Sequence, residues 1–551
     1  MLSALRARAR LHARALRDGT RPIDIEGRAP GGTVSVRRGR SLLTAVLVDS
    51  FDAWALRDRC RDVTVEALTR AGIEHRVLPA LGAEPHRVVV SSSDAEATQS
   101  ALVALDDIDP DLHLHTGLHA SGRLGPSRPA RSLPALHAGS VVRVWSPQVS
   151  PAGRMLPTRS LGVDVEVWTE LAATQASPDG PERPTGTLVA PRPNPFVRSI
   201  PPGTLAASLD PPAGTPLEQV DFPIDVVYTW VDSADPAWQE SYAAARAGTD
   251  TSAGHASAWS TARWTNRDEL RYSLRSIAAY ASWVRTIHIV TNGQVPSWLD
   301  TDHPKVRVVR HDDIFADPSH LPTFSSHAIE ANLHRVPGLA RHYLYLNDDV
   351  FLARPLRPEH FFTGSGLVRW FPSLVPVDDG PARSDDLPVV QAMKNGRALV
   401  DEHLGKRPTT RPRHTPQPQR RDVLGDIEAA CPDAIRRTSR ARFRSPTDIS
   451  LASQLQAWWA DGTGRAVRAG TTYEFIDIGA EDADDRIARL LVRRDLDFYC
   501  LNETHIEDRS VHRAEARVRR VLTQLLPMVS PYEKESSPAC GPGSSGPAPS
   551  D

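Results

Sequence analysis

The chain has 551 residues, and its 65 Lys plus Arg against 67 Asp plus Glu leave a formal charge of −2. That length gives about two to four domains, and 40% hydrophobic with 24% charged residues is the balance of a globular protein. Near-neutrality excludes a whole-protein electrostatic grip on nucleic acid or on an anionic membrane. Only Lys305, Lys394, Lys406 and Lys534 are lysines, so Arg abundance reads as a genome signature and by itself marks no phosphate site.

Residues 1–23 are basic and mildly amphipathic without an apolar signal-peptide core, and read as a helix that can lie on a membrane surface. No stretch has the roughly 18 apolar residues of a membrane span, so the expected location is the cytoplasm, with peripheral contact to the inner face of the cell membrane. Residues 24–176 read as a small α/β domain. Its signals are a strand at 44–48, a helix over 52–71 ended by Gly72, two short strands, and a helix near 94–105. It includes His113, His115 and His119; on a strand the first two would share a face, but hydrogen-bonded histidines are the preferred reading over a metal site. Ser177 to Pro223 holds twelve prolines, a linker (177–222) or an extended strap. A catalytic domain is expected over 223–527, with an insert or lid at about 371–421, and a disordered tail over 528–551. Four scattered cysteines (Cys60, Cys431, Cys500, Cys540) form no CxxC pair, which disfavours a disulfide framework and a thiolate zinc site.

The chemistry concentrates in the second domain. IDVVYTWVDSADP (224–236) is an apolar strand that delivers Asp232 at its C-terminal end, either to a ligand or as a cap. In ARWTNRDELRYSLRSIAAYASW, Thr265 and Asp268 resemble a capping box, and Leu270, Leu274, Ile277 and Ala281 make a buried stripe. Arg267, Arg271 and Arg275 line another face. They suit a pyrophosphate if one is independently implied, and otherwise read as a face paired to carboxylates. Strands TIHIVTNG, with Asn292, and KVRVVRHDDIF alternate with a helix over 326–336, which predicts a largely parallel, Rossmann-like sheet. HYLYLNDDVFL carries Asn347, Asp348 and Asp349. Two carboxylates in an apolar strand are costly to bury unless they bind a cation or serve catalysis. A pair at such a strand end can hold a divalent metal, Mg²⁺ or Mn²⁺, that bridges two phosphates. KRPTTRPRHTPQPQRR sets His414 among cations, a composition suited to a lid over an anionic substrate. Arg442 and Arg444 precede an apolar helix, and DFYCLNETH ends in Asn502, Glu503 and His505.

These blocks, IDVVYTWVDSADP, RWTNRDELRYSLRSI through YLNDDVFL, HTP…RFRSPTDIS and YCLNETH, resemble in order the four conserved regions of the Stealth family of sugar-1-phosphate transferases. The N-terminal unit resembles the extension of actinobacterial exopolysaccharide phosphotransferases. The resemblance implies an α/β, nucleotide-sugar-transferase-type catalytic domain that follows a small N-terminal α/β domain. It implies a nucleotide-diphosphate-sugar donor of the UDP-hexose or UDP-N-acetylhexosamine class and a glycan acceptor. Hexose-1-phosphate would move to a glycan hydroxyl, forming a phosphodiester and releasing the nucleoside monophosphate. It further implies catalytic roles for Asp349, His414 and Arg444. Asp348 and Asp349 would hold the metal, and Asp232, Arg267, Arg271, Asn292, Asn347 and Asn502 would bind the donor. Either Asp349 or His414 is the expected proton acceptor. Glu503 stands where the family commonly has Asp, keeping the charge but adding a methylene. The rival readings are a metal-dependent glycosyltransferase that moves the sugar alone and a non-catalytic nucleotide-sugar-binding scaffold.

Overall fold

A computed structural model describes residues 25, 28–38, 41–80, 85–120, 123–125, 127–177, 180–206, 216–248, 264–503 and 511–534. The expected N-terminal helix (1–23), His505, Cys540 and the tail beyond 534 lie outside the described residues. Within them, no helix is long and apolar enough to cross a membrane.

The first unit opens with a hairpin, Thr33–Arg38 against Ser41–Leu47. The predicted helix spans Ala53–Arg70, where the Asp52 carboxylate accepts from the backbone N–H of Trp54 and Ala55 and so caps it. Strand Val163–Glu170 pairs parallel with His86–Ser91 and antiparallel with Val141–Trp145, and its valines face the helix across a shared core. His113 takes a left-handed φ of 44° ahead of strand His115–Ala120, so it shares no strand face with His115. His115 instead meets Ser127, and His119 meets Asp164.

The proline-dense stretch is a strap. Leu188–Val189 pairs with the end of strand Val163–Glu170, and Ser199–Ile200 pairs with Leu188–Val189 in turn. Such edge positions tolerate the prolines beside them. The strap also supplies Arg192, which reaches the buried carboxylates of Asp164 and Glu166 at 2.7 Å each. This first unit docks on the second: Trp54 Nε1 donates to the Tyr280 carbonyl at 3.1 Å, and Ser282 Oγ donates to Asp52 Oδ1 at 2.8 Å.

The second unit is built on β1 (Ile224–Thr229), α1 (Pro236–Ala247), α2 (Glu269–Tyr280), β2 (Ile287–Thr291), β3 (Val306–Arg310), β4 (His342–Leu346), β5 (Val350–Leu352), β6 (Gln417–Arg420), β7 (Tyr473–Asp477) and β8 (Phe498–Asn502). Its main sheet has the order β3–β2–β1–β4–β6, parallel except for β6. The run from β1 to β3 grows outward to one side, and the chain then returns to place β4 on the other side of β1. Strands β1 and β4 therefore flank a topological switch point, where a crevice opens beyond their C-terminal ends. A small second sheet, β5–β8–β7, continues from the end of β4. The α2 stripe of Leu270, Leu274, Ile277 and Ala281 is fully buried against this core.

Three local expectations change. The capping box at α2 does not form: Asp268 has φ 65° and no side-chain cap bond, while the Arg267 N–H donates to the Glu269 carboxylate and the Asp268 N–H to Asn266. The 371–421 stretch, expected as an insert or lid, is folded into the domain. Pro372–Pro376 pairs with Thr410–Pro412, residues Pro388–Leu404 form a helix, and β6 completes the main sheet. Its polar side chains are satisfied inside, Gln419 accepting from Tyr343 Oη at 2.8 Å and donating to the Ala452 carbonyl at 2.7 Å. Residues 528–534 are packed rather than loose, with Tyr532 and Glu533 buried.

Candidate active site

Strand register assembles the site. β4 is apolar and buried through Leu346, and the chain then turns at Asn347–Asp349 before β5. Antiparallel β6 pairs Tyr345 with Gln417 and His342 with Arg420. Continued in that register, His414 falls opposite Asp348, just past the end of β4. His414 Nε2 meets Asp349 Oδ1 at 3.3 Å. From the other side, β8 pairs Cys500 with Val350, and the Leu501 N–H donates to the Asp349 carbonyl at 3.1 Å. That register brings Asn502 Nδ2 to Asp349 Oδ2 at 2.7 Å and the Cys500 thiol to the same oxygen at 3.3 Å. Asp349 is thus oriented by three side chains. It is recessed at 15% side-chain exposure, and His414, at 34%, is the more open of the two.

The electrostatics separate the two carboxyls. Burial raises the Asp348 carboxyl well above the ordinary range, and the charges of Glu269 and Asp349 push it the same way. Burial acts upward on Asp349 as well, but the charge and hydrogen bond of His414, with Asn502 and Cys500, outweigh it and hold that carboxyl low. For His414, burial lowers the imidazole and the charge and hydrogen bond of Asp349 more than reverse it, so the ring is held above its usual value. Each group shifts the other in the direction that favours its charged form, and the two titrate as a coupled pair.

Arg444 follows Phe443, whose ring locks into a buried aromatic cluster with Trp238, Tyr242, Trp264 and Phe324. Its Nη2 donates to Ser326 Oγ at 3.0 Å, and its buried Nε has no partner. Arg267 pairs with Glu503 and lies 3.6 Å from Glu269, so the longer Glu503 side chain is committed to a guanidinium. Arg271 and Arg275, in contrast, both pair with Glu533 of the packed C-terminal segment, Arg275 at 2.7 Å. The arginine row is therefore divided, and Arg271, expected at the donor, is engaged by Glu533. Asp232 accepts from the Ala234 N–H and from Asn266 Nδ2, while Asp235 caps α1. Asn292 is exposed past the end of β2, and Asn347 lies in the turn before Asp348.

Three carboxyls, Glu269, Asp348 and Asp349, are close enough for their charges to register on one another. Crowding of that kind is the donor chemistry of a hard divalent cation. Ligand atoms of Asp349, His414 and Cys500 also lie within 4.8 Å of one another. Burial drives the Cys500 thiol well up, however, and a protonated thiol is a hydrogen-bond donor rather than a ligand. The residues thus fit a divalent cation on carboxylates.

Sequence reasoning passed over Glu269 and Glu330. Both are buried carboxylates, at 6% and 3% exposure, one opening α2 beside Asp268 and the other ending the short helix Ser326–Glu330. Their sequence neighbourhoods are polar and carry no signal that singles either one out.

Comparison with known proteins gives a consistent result. Models of the Stealth protein conserved regions match here: region 1 over 222–250, region 2 over 263–369 and region 3 over 413–461. An exopolysaccharide phosphotransferase of Streptomyces coelicolor is 38% identical over 544 residues, covering 92% of this chain and 88% of its own. A second from that organism is 36% identical over 87% of this chain and 84% of its own. The exopolysaccharide phosphotransferase CpsY of Mycobacterium tuberculosis is 33% identical over 72% and 73%. The solved galactosyltransferase LgtC, in complex with donor and acceptor sugar analogs, overlaps 57% of this chain and 98% of its own at 12% identity, with a TM-score of 0.28, too slight to carry an argument.

Proposed function

The chain belongs to the Stealth family, and from that premise we propose that it is an exopolysaccharide phosphotransferase that moves hexose-1-phosphate from a nucleotide-diphosphate sugar to a glycan hydroxyl. The observation that carries this reading is the contact between His414 and Asp349 at the switch point, made by an antiparallel edge strand.

The acceptor oxygen attacks the sugar-bearing phosphorus of the donor. The bond from that phosphorus to the oxygen bridging the two phosphates breaks, and the nucleoside monophosphate leaves. The hydroxyl proton passes to the Asp349–His414 pair, and the new bond completes a phosphodiester. In-line transfer of this kind asks the protein for positioning and charge neutralisation. Asn502 and Cys500 fix the Asp349 carboxylate, and the guanidinium of Arg444 would neutralise charge on the transferring phosphoryl oxygens. A divalent cation, Mg²⁺ or Mn²⁺, would be held by Asp348 and Asp349 and would neutralise the diphosphate. Asp232, Asn292 and Asn347, past the ends of β1, β2 and β4, and Arg267, ahead of α2, would bind the donor, a UDP-hexose or UDP-N-acetylhexosamine. The free thiols of Cys60, Cys431 and Cys500 suit a reducing compartment, which supports a cytoplasmic location.

The test is incubation with a panel of nucleotide sugars, Mg²⁺ or Mn²⁺ and a short glycan. Phosphorus NMR is expected to show a new phosphodiester together with a nucleoside monophosphate. Release of the nucleoside diphosphate instead would assign a plain glycosyltransferase, and absence of any turnover a binding scaffold.

A further inference from the structure

A small cavity lies at the junction between the two units, apart from the cleft at Asp349. Strand alternation puts Tyr499 on the face of β8 opposite Cys500, the side chain that meets Asp349. Tyr499 stacks on Phe351 at 5.0 Å and lines the cavity. The first unit closes it with a tight turn. The Ser150 N–H donates to the Arg154 carbonyl at 2.9 Å, and the Arg154 N–H donates back to Ser150 Oγ at 3.3 Å. The turn thereby presents the Arg154 side chain to the second unit, where Nη1 donates to the Leu491 carbonyl at 3.0 Å.

Leu491 lies in the last turn of helix Ala483–Val492, where backbone carbonyls lack partners inside the helix. Arg494 Nη1 donates to the same oxygen at 3.2 Å. Two guanidiniums therefore converge on one neutral acceptor. In three other places where arginines converge, a carboxylate stands between them: Asp164 for Arg143 and Arg192, Glu533 for Arg271 and Arg275, and Asp422 for Arg341 and Arg420. Here the wall holds Arg154, Arg354, Arg493 and Arg494 and no carboxylate. Arg354 pairs with Asp497, and Arg493 with Glu474 and Asp495. Arg154 makes no ion pair among the described residues. Burial and the neighbouring Arg494 charge pull its guanidinium down to about 9, so it stays protonated at neutral pH. A recessed cation held against a second one is costly until an anion joins them. In the same wall the Tyr499 hydroxyl is buried without a hydrogen-bond partner, on a residue that is 2% exposed. The cavity measures about 40 Å³. At ~10–15 Å³ for each water, that is room for about three waters, or for one tetrahedral oxyanion.

We propose that this cavity binds a phosphate-type oxyanion between Arg154 of the first unit and Arg494 of the second, and that the bound anion fastens the two units together. Guanidinium forks match the oxygens of such an ion, and charge-assisted bonds to it exceed those to a carbonyl. A free phosphate ion and the terminal phosphoryl group of a small ester share this chemistry. The proposal does not depend on the transfer reaction, and its test needs no turnover.

Thermal unfolding of the full chain is followed while inorganic phosphate is titrated in, with sodium chloride at matched ionic strength as the control. Tm is expected to rise with phosphate beyond the chloride control, because an ion that binds only the folded state stabilises it. Arg444→Gln separates this site from the cleft, and the rise is expected to persist in it. Arg154→Gln is expected to raise the half-saturating phosphate concentration by at least about tenfold, and Arg494→Gln should act in the same direction. Arg154→Lys, which keeps the charge but loses the fork, should fall between parent and Arg154→Gln. Glucose-1-phosphate titrated into Arg444→Gln distinguishes the sources. A rise with it assigns a phosphoryl group on an ester, and a rise with inorganic phosphate alone assigns the free ion. A response no larger than that to chloride overturns the proposal. So does one unchanged in both Arg154→Gln and Arg494→Gln, or one abolished by Arg444→Gln.

Discussion

Asn502 Nδ2 donates to Asp349 Oδ2 at 2.7 Å, joining two segments 153 residues apart in sequence. The bond fixes a carboxylate whose other oxygen faces His414. Asn502→Ala is expected to lower kcat by about tenfold, or ~1.4 kcal/mol of activation free energy, with little change in Tm. Steady-state kinetics beside a melting curve check it, and an unchanged kcat would remove Asn502 from the support of Asp349.

Asp348 is driven toward its neutral form by burial and by the charges of Glu269 and Asp349. A divalent cation relieves that strain on the charged form. Activity is therefore expected to vanish in excess chelator and to return with Mg²⁺ or Mn²⁺. Asp348→Asn should raise the half-saturating Mn²⁺ concentration by at least about tenfold. A variant with the parent's metal titration would place the cation on other ligands.

Glu533 is buried between the guanidiniums of Arg271 and Arg275. Removing the shared anion leaves two cations facing each other. Glu533→Ala is expected to destabilise the protein by about 3 kcal/mol, read as a shift in the midpoint of denaturant unfolding. Arg271→Gln should follow the same course and leave the donor KM near the parent value. A large rise in donor KM with unchanged stability would return Arg271 to the donor site.

The Asp164 carboxyl is fully buried. Burial alone would raise it, but hydrogen bonds from His119, Arg143 and Arg192 hold it below the carboxylate range. A depressed folded value contributes stability that is complete above the unfolded value, about 3.9. That stability is lost as pH falls through the unfolded value toward the folded one. Tm measured from pH 6 downward is expected to bend at about pH 4, and in Asp164→Asn the bend should weaken while the plateau drops. An identical pH profile in the variant would remove Asp164 from acid stability.

The apolar runs of β1 and β4 were legible because buried parallel strands read as continuous hydrophobic stretches, and the carboxylates at their ends stood out for the same reason. Strand β6 was not. Its residues, Gln417 to Arg420, are polar, and they are buried only because Tyr343, Ala452 and the strand edge satisfy them. The fate of the arginine row was equally hidden: the partner of Arg271 lies 262 residues away in a stretch that reads as disordered. Local pattern gives no register between segments so far apart, and Glu330 escaped notice because its partners, Tyr345 and Ser453, come from two other segments.

The antiparallel placement of β6 also orders events during biosynthesis. Asp349 emerges from the ribosome 65 residues before His414, and the strand that supplies Asn502 is later still. A nascent chain that ends between β5 and that strand therefore carries Asp349 without the full set of side chains that hold its carboxylate.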